Sequence, residues 1–310
     1  MLQMTENFRT NTRIRRLVLS LLGGWMLAGS LSIVHAAEPG AATAAANLRT
    51  RHAALAEQLN QNQFKRPIFL ESSESQTDSK GDIYALVEHP FAGVATALKA
   101  PANWCEVMIL HINTKYCRAA TDAAGSHLAV SIGKKHDQPL ADASRVSFAY
   151  QLTAATPGYF EVRLSAKDGP MGTRDYRISL EAIPIDAGKT LIHLSYSYGY
   201  GLPGRLAMQA YLATVGRGKV GFTITGNQPD GQVQYLGGAR GVVERNTMRY
   251  YLAIDAYLAS LGAPAGEQFE RRMQGWFTAS ERYPRQLHEV DGPTYFAMKR
   301  SEYLRQQTVQ

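Results

Sequence analysis

Between residues 128 and 198 the chain alternates apolar and polar side chains with a period of two. Leu128, Val130 and Ile132 form one such set, and Val146, Phe148, Tyr150 and Leu152 a second. Phe160, Val162 and Leu164 alternate with Glu161, Arg163 and Ser165, and Tyr176, Ile178, Leu180 and Ala182 with Arg177, Ser179 and Glu181. Ile192, Leu194, Tyr196 and Tyr198 alternate with His193, Ser195 and Ser197. This period predicts antiparallel strands that bury one face and wet the other. Turn chemistry separates them at Lys167-Asp168-Gly169-Pro170 and Asp186-Ala187-Gly188.

Helical spacing flanks this run. Leu48, His52, Leu55 and Leu59 predict a short amphipathic helix after an unstructured, small-residue stretch from Ala37 to Ala46. Strands are expected from Ile68 and over Ile83–Val87. His89-Pro90-Phe91 opens a helix with Phe91, Val94, Ala95 and Leu98 inward; Pro101 breaks it, and Trp104, Val107, Met108 and His111 resume it. A helix over Pro203–Thr214 and a hairpin across Gln228–Gly231 come next. Tyr250, Ile254, Tyr257, Leu258 and Leu261 then predict a long amphipathic helix, capped near Asn246 or Thr247 and ended by Gly262. Residues 263–310 form a tail with seven basic and six acidic residues and the aromatics Trp276, Phe277, Tyr295, Phe296 and Tyr303. It reads as one or two helices lying on the main domain.

The amino end changes where such a protein is expected to work. Arg9, Arg13, Arg15 and Arg16 precede an apolar run from Leu17 to Val34, and Val34-His35-Ala36 offers small residues at the −3 and −1 positions. This reads as a secretory signal cut before Ala37, which places the mature chain in a periplasm or outside the cell and leaves no stable membrane insertion. The formal charge of the whole chain is +7, and the leader, with four arginines against Glu6, leaves +4 on the remainder. That is too mild for a nucleic-acid footprint. In an oxidising compartment the isolated pair Cys105 and Cys117 reads as a disulfide.

Motifs with chemistry are sparse. Gly199-Tyr200-Gly201-Leu202-Pro203-Gly204 matches a dinucleotide-binding fingerprint, but the preceding strands are antiparallel and no βαβ unit or ribose-binding acid follows. It reads as a glycine-rich turn. Ser131-Ile132-Gly133-Lys134 lacks the partner motifs of the penicillin-recognising enzymes. No short-spaced histidine pair exists, so neither a metal nor a cofactor is expected.

The order of elements resembles the START-like, or SRPBCC, helix-grip superfamily. The resemblance is carried by Gly81–Val87, Pro90-Phe91, Ala102–Val107, the hairpin Tyr159–Ile183, the strand Thr190–Tyr198 and the helix Thr247–Leu261. It implies an α+β fold over residues 67–262, after an N-terminal linker and short helix at 37–66 and before the helical extension at 263–310. A curved antiparallel sheet would wrap around the long C-terminal helix, and a cavity between them would hold a hydrophobic small molecule. Phe148, Tyr150, Phe160, Tyr196, Tyr198, Tyr250, Ile254 and Tyr257 are the expected lining residues. A carrier for a lipid-like ligand is the leading function. The rivals are a cyclase- or hydrolase-like enzyme using His193, Ser195 or Tyr196, and an interaction module that recruits a protein partner through the tail.

Overall fold

The computed structural model describes residues 39–214 and 216–308; the expected signal sequence lies outside them. Helices α1 (Pro39–Ala54) and α2 (Ala56–Asn60) lead into the hairpin β1 (Ile68–Glu74) and β2 (Asp78–Val87). Two short helices follow, α3 (Phe91–Leu98) and α4 (Pro101–Met108), with Pro101 at the first turn of the second. Six strands then run with no α-helix between them: β3 (Thr114–Asp122), β4 (Gly125–Ile132), β5 (Ser144–Thr156), β6 (Tyr159–Asp168), β7 (Thr173–Pro184) and β8 (Thr190–Tyr200). After them come α5 (Leu202–Ala213), the small hairpin β9 (Ile224–Asn227) and β10 (Val233–Tyr235), and the long helix α6 (Gly238–Ser260). The tail forms α7 (Ala265–Glu281), α8 (Pro284–Leu287) and α9 (Gly292–Gln307).

The eight long strands make one antiparallel sheet in the order β1-β2-β8-β7-β6-β5-β4-β3. One face, carrying Phe148, Phe160, Val162, Leu180, Leu194 and Tyr196, packs on α6 and on the α3–α4 pair. Val243, Met248, Leu252, Ile254 and Leu258 of α6 are buried there, each contributing about 1.5–3 kcal/mol. The helix lies so close to β2 that a Cβ on Gly81 would stand 2.3 Å from the Thr247 hydroxyl. The opposite face is covered by α1, α2 and Leu55 between them; Ala41, Ala45, Leu48, Leu55 and Leu59 pack with Tyr84, Tyr159, Ile183 and Leu191. No helix among the described residues is long and apolar enough to cross a membrane.

Two expectations change. Residues 39–46 are helical, because Ala41 and Ala45 recur one turn apart and let α1 sit closely on the sheet. The long helix starts at Gly238, not near Asn246, and runs for 23 residues. Its first turns bury Glu244, Arg245 and Arg249, and buried charge at those positions hides the helical period.

Cys105 on α4 and Cys117 on β3 are joined by a disulfide across a sequence separation of 12. Replacing both with serine is expected to cost about 2–4 kcal/mol, mainly by releasing the unfolded chain. A urea titration of the oxidised protein against the double variant measures this directly, and an unchanged midpoint would disprove it.

Candidate functional site

Strand β8 divides its side chains between the two faces of the sheet. Tyr196, Tyr198 and Tyr200 point to the α6 side, joined by Tyr176 of β7. Their rings form a continuous ladder: Tyr176 to Tyr198 is 5.5 Å between centroids, Tyr196 to Tyr198 5.7 Å, and Tyr198 to Tyr200 6.2 Å. Tyr250 of α6 meets Tyr196 at 5.3 Å, and His111, in the turn after α4, stacks on Tyr250 at 4.8 Å. Burial raises the pKa of the Tyr176, Tyr196, Tyr198 and Tyr250 hydroxyls, so all four stay protonated near neutral pH.

All eight expected lining residues lie on this α6-facing side, but they do not make one open chamber. Phe148, Tyr196, Tyr198 and Tyr250 join the ladder through ring contacts. Phe160 and Ile254 are fully buried core. Tyr150 and Tyr257 donate their hydroxyls to the carbonyls of Lys99 and Ala97, so both pin the end of α3.

A concavity of about 700 Å³ opens where the ladder reaches the end of the sheet. Tyr200, Met208, Leu212, Ala239, Arg240 and Glu74 line it, and α5 forms one wall. Helix α5 is lightly held. Gly204 is its only buried residue, and Leu202 and Leu206 are exposed. Its anchor is a backbone approach in which a Cβ on Gly204 would stand 2.9 Å from the Gly172 carbonyl oxygen. Gly204, the last glycine of the apparent dinucleotide fingerprint, thus serves close packing.

Beyond Tyr250 the interior becomes strongly basic. Glu289, after α8, accepts from Arg249 at 2.7 Å, Lys135 at 2.6 Å and Lys219 at 3.0 Å. Burial disfavours charge on Glu289, but these cations outweigh it and hold its pKa below the usual carboxylate value. Burial and the neighbouring Arg249 lower Lys135 to about 8. Glu302 on α9 bridges Lys115 at 2.9 Å and Lys299 at 2.7 Å, with all three side chains fully buried. Arg245, also buried, donates to the Val220 carbonyl. His111 sits among these groups. Burial, then Arg249, Lys299, Lys135 and Lys115, drive its pKa well below the ordinary value, so the ring is neutral.

His193 is elsewhere. It lies on the opposite face from Tyr196 and stands between two carboxylates, Nδ1 2.8 Å from Glu181 and Nε2 2.9 Å from Asp82. Tyr84 stacks flat on its ring at 4.2 Å, and Tyr159 donates to Glu181 at 2.5 Å. His193 shares no cavity with Tyr196, and although the alternation assigns its face to water, its side chain is largely buried. The antiparallel register puts it level with Tyr84 and Glu181 on the adjacent strands, and α1 covers the same face. Ser195 shares that face and is likewise nearly buried. His193, Ser195 and Tyr196 therefore form no common site.

The tail aromatics are also inward. Trp276 is buried, stacks on Tyr295 at 5.0 Å and donates to the Arg249 carbonyl. Phe277 packs on Tyr295 and Phe296, so the exposed patch that would mark a docking tail is missing around these residues. No group of three or more His, Cys, Asp or Glu that could hold a metal occurs among the described residues.

The last strand of the eight pairs back with β2, and a 23-residue helix crosses the face between them. The fold is a helix grip. No family model matches the sequence, and no curated protein matches it. Similar solved structures include norcoclaurine synthase from Thalictrum flavum, at 12% identity over 47% of this chain and 89% of that one, TM-score 0.32. A START superfamily protein from Mycobacterium smegmatis is 12% identical over 44% of this chain and 92% of that one, TM-score 0.31. A Thermus thermophilus protein is 8% identical over 59% of this chain and 99% of that one, TM-score 0.36. At these scores the likenesses carry no functional argument, and the helix-grip description rests on strand order and α6.

The sequence reading missed Tyr176 as a ladder member, and with it His111, Arg245, Arg249, Lys135 and Glu289. Tyr176 shares the parity of Ile178 and Leu180, which is the signal that marks its face. The charged residues come from three separate segments and carry no local signature.

Proposed function

We propose that this protein is a periplasmic carrier for a largely apolar small molecule, held between β8 and α6 and admitted past α5. The tyrosine ladder is the observation that carries this reading. It runs from the 700 Å³ concavity at Tyr200 inward to Tyr250. Such rings offer broad apolar faces to a hydrocarbon or polycyclic body, together with hydroxyls that orient a polar atom. The concavity is within the size range of small-molecule sites. The rings are in mutual contact, so entry requires them to part, and the lightly anchored α5 supplies the movable wall. The disulfide supports an oxidising compartment.

Native mass spectrometry of protein purified from a periplasmic fraction is expected to show one organic molecule per chain, recoverable by solvent extraction. A chain that is empty, and takes up nothing from a panel of fatty acids, sterols and polyketides, would remove the carrier reading.

A further inference from the structure

We propose that the inner end of the tyrosine ladder binds an oxyanion, the carboxylate or phosphate head of an amphipathic ligand, through Arg249 and His111. This rests on the carrier reading for the identity of the ligand, but the anion site stands on its own observations. The first is charge. Lys115, Lys135, Lys219, Arg245, Arg249 and Lys299 gather around two carboxylates, Glu289 and Glu302. Buried cations are normally matched by anions or strongly hydrogen-bonded, and here positive charge is in surplus. The second is hydrogen bonding. Asn113 donates its backbone N–H to His111 Nδ1 at 3.2 Å. That assigns the ring proton to Nε2, a buried donor with no partner. Arg249 spends Nη2 on Glu289, yet its Nε–H is also buried and unpartnered. An orphaned buried donor is costly, and two occur in one positive neighbourhood.

The third is position. His111 stacks on Tyr250, and Tyr250 touches Tyr196. Donors and surplus charge therefore sit where the aromatic ladder ends. A molecule lying along the rings would place one terminus against Arg249 and His111. A neutral His111 donates to either oxyanion without itself titrating near neutral pH. Two charge-assisted hydrogen bonds select an anion over an alcohol of the same chain length.

The test compares dodecanoate, dodecyl phosphate and dodecanol by isothermal titration calorimetry with the delipidated full chain, alongside a thermal melt in inorganic phosphate. At least one anion is expected to bind tenfold or more tighter than dodecanol. His111→Phe keeps the stack on Tyr250 and removes the donor, and Arg249→Lys keeps a cation beside Glu289 and removes Nε–H. Each is expected to erase most of the preference by weakening the anions far more than dodecanol. The stronger anion of the two distinguishes a carboxylate from a phosphate source. Equal binding of all three compounds would overturn the anion site and leave the carrier reading intact. If no chain binds but phosphate raises the melting temperature of the parent and not of Arg249→Lys, the anion site stands without the carrier. If neither chain nor phosphate has any effect, both readings fall.

Discussion

Glu302→Ala is expected to cost about 3–5 kcal/mol, because it strips the counter-ion from two buried ammonium groups at once. Lys115 and Lys299 have no exposed side-chain surface, and both end on the Glu302 carboxylate. Lys299 also donates to the carbonyls of His111 and Thr114, and Lys115 to that of His136. Those carbonyls favour a cation but do not neutralise it. Burial already lowers Lys299 to about 8, so without Glu302 the nearest escape is loss of a proton. The network joins α9 to the segment between α4 and β4, and its loss should free α9 before the sheet melts. A urea titration combined with limited proteolysis around residues 292–307 checks both parts. Glu302→Leu combined with Lys115→Met and Lys299→Met should be milder than Glu302→Ala, since removing all three partners avoids an orphaned charge. A loss below about 1 kcal/mol for Glu302→Ala would show that the bridge is idle.

The second large effect belongs to His193. His193→Ala leaves Asp82 and Glu181 facing each other across a partly buried gap, and about 3 kcal/mol of stability should go with it. Its pH dependence identifies the cause. Burial opposes charge on the imidazole, but the hydrogen bonds it donates to Asp82 and Glu181 outweigh it and raise the pKa. A raised folded pKa means the contribution is complete below the unfolded value near 6.5 and fades as pH climbs through the folded value. Burial likewise opposes charge on Asp82 and Glu181, yet their bonds to His193 lower both pKa values. Their contribution is present above the unfolded values near 4 and fades as pH falls through the folded ones. The triad therefore stabilises most between about pH 4.5 and 6.5. Equilibrium unfolding from pH 4 to 9 should show that maximum in the parent protein. In His193→Gln the decline on the alkaline side should be gone. The same slope in both proteins would mean that His193 does not carry the charge assigned to it.

The strands were legible wherever one face is in water, as over much of β5, β6 and β7. From Val146 to Tyr198 the alternation marks nearly every inward residue, including the parity of Phe148, Phe160, Tyr196 and Tyr198. The α3–α4 break was equally plain, since Pro101 permits no other reading. Legibility fails where both faces of an element are covered. His193 sits on the side that alternation assigns to solvent, but Tyr84, itself packed under α1, covers its ring. The early turns of α6 fail for the same reason. Glu244 is buried against the backbone of Phe222 and Thr223, and Arg249 against Glu289, so polar letters occupy positions where a hydrophobic period would be sought. The basic interior was out of reach because Lys135, Arg249, Glu289 and Lys299 meet only through tertiary packing.

The pairing of β2 with β8 has a consequence for how the chain acquires its shape. Val87 faces Thr190 and Asp78 faces Gly199, so every bond of that ladder joins residues more than a hundred positions apart. The strands from β3 to β8 zip through neighbouring hairpins, each closing a short loop. The β1–β2 hairpin must then wait for the far end of the domain before it finds its place. High contact order of this kind slows folding. The β1–β2 hairpin therefore cannot complete the sheet until the chain has been made as far as residue 200.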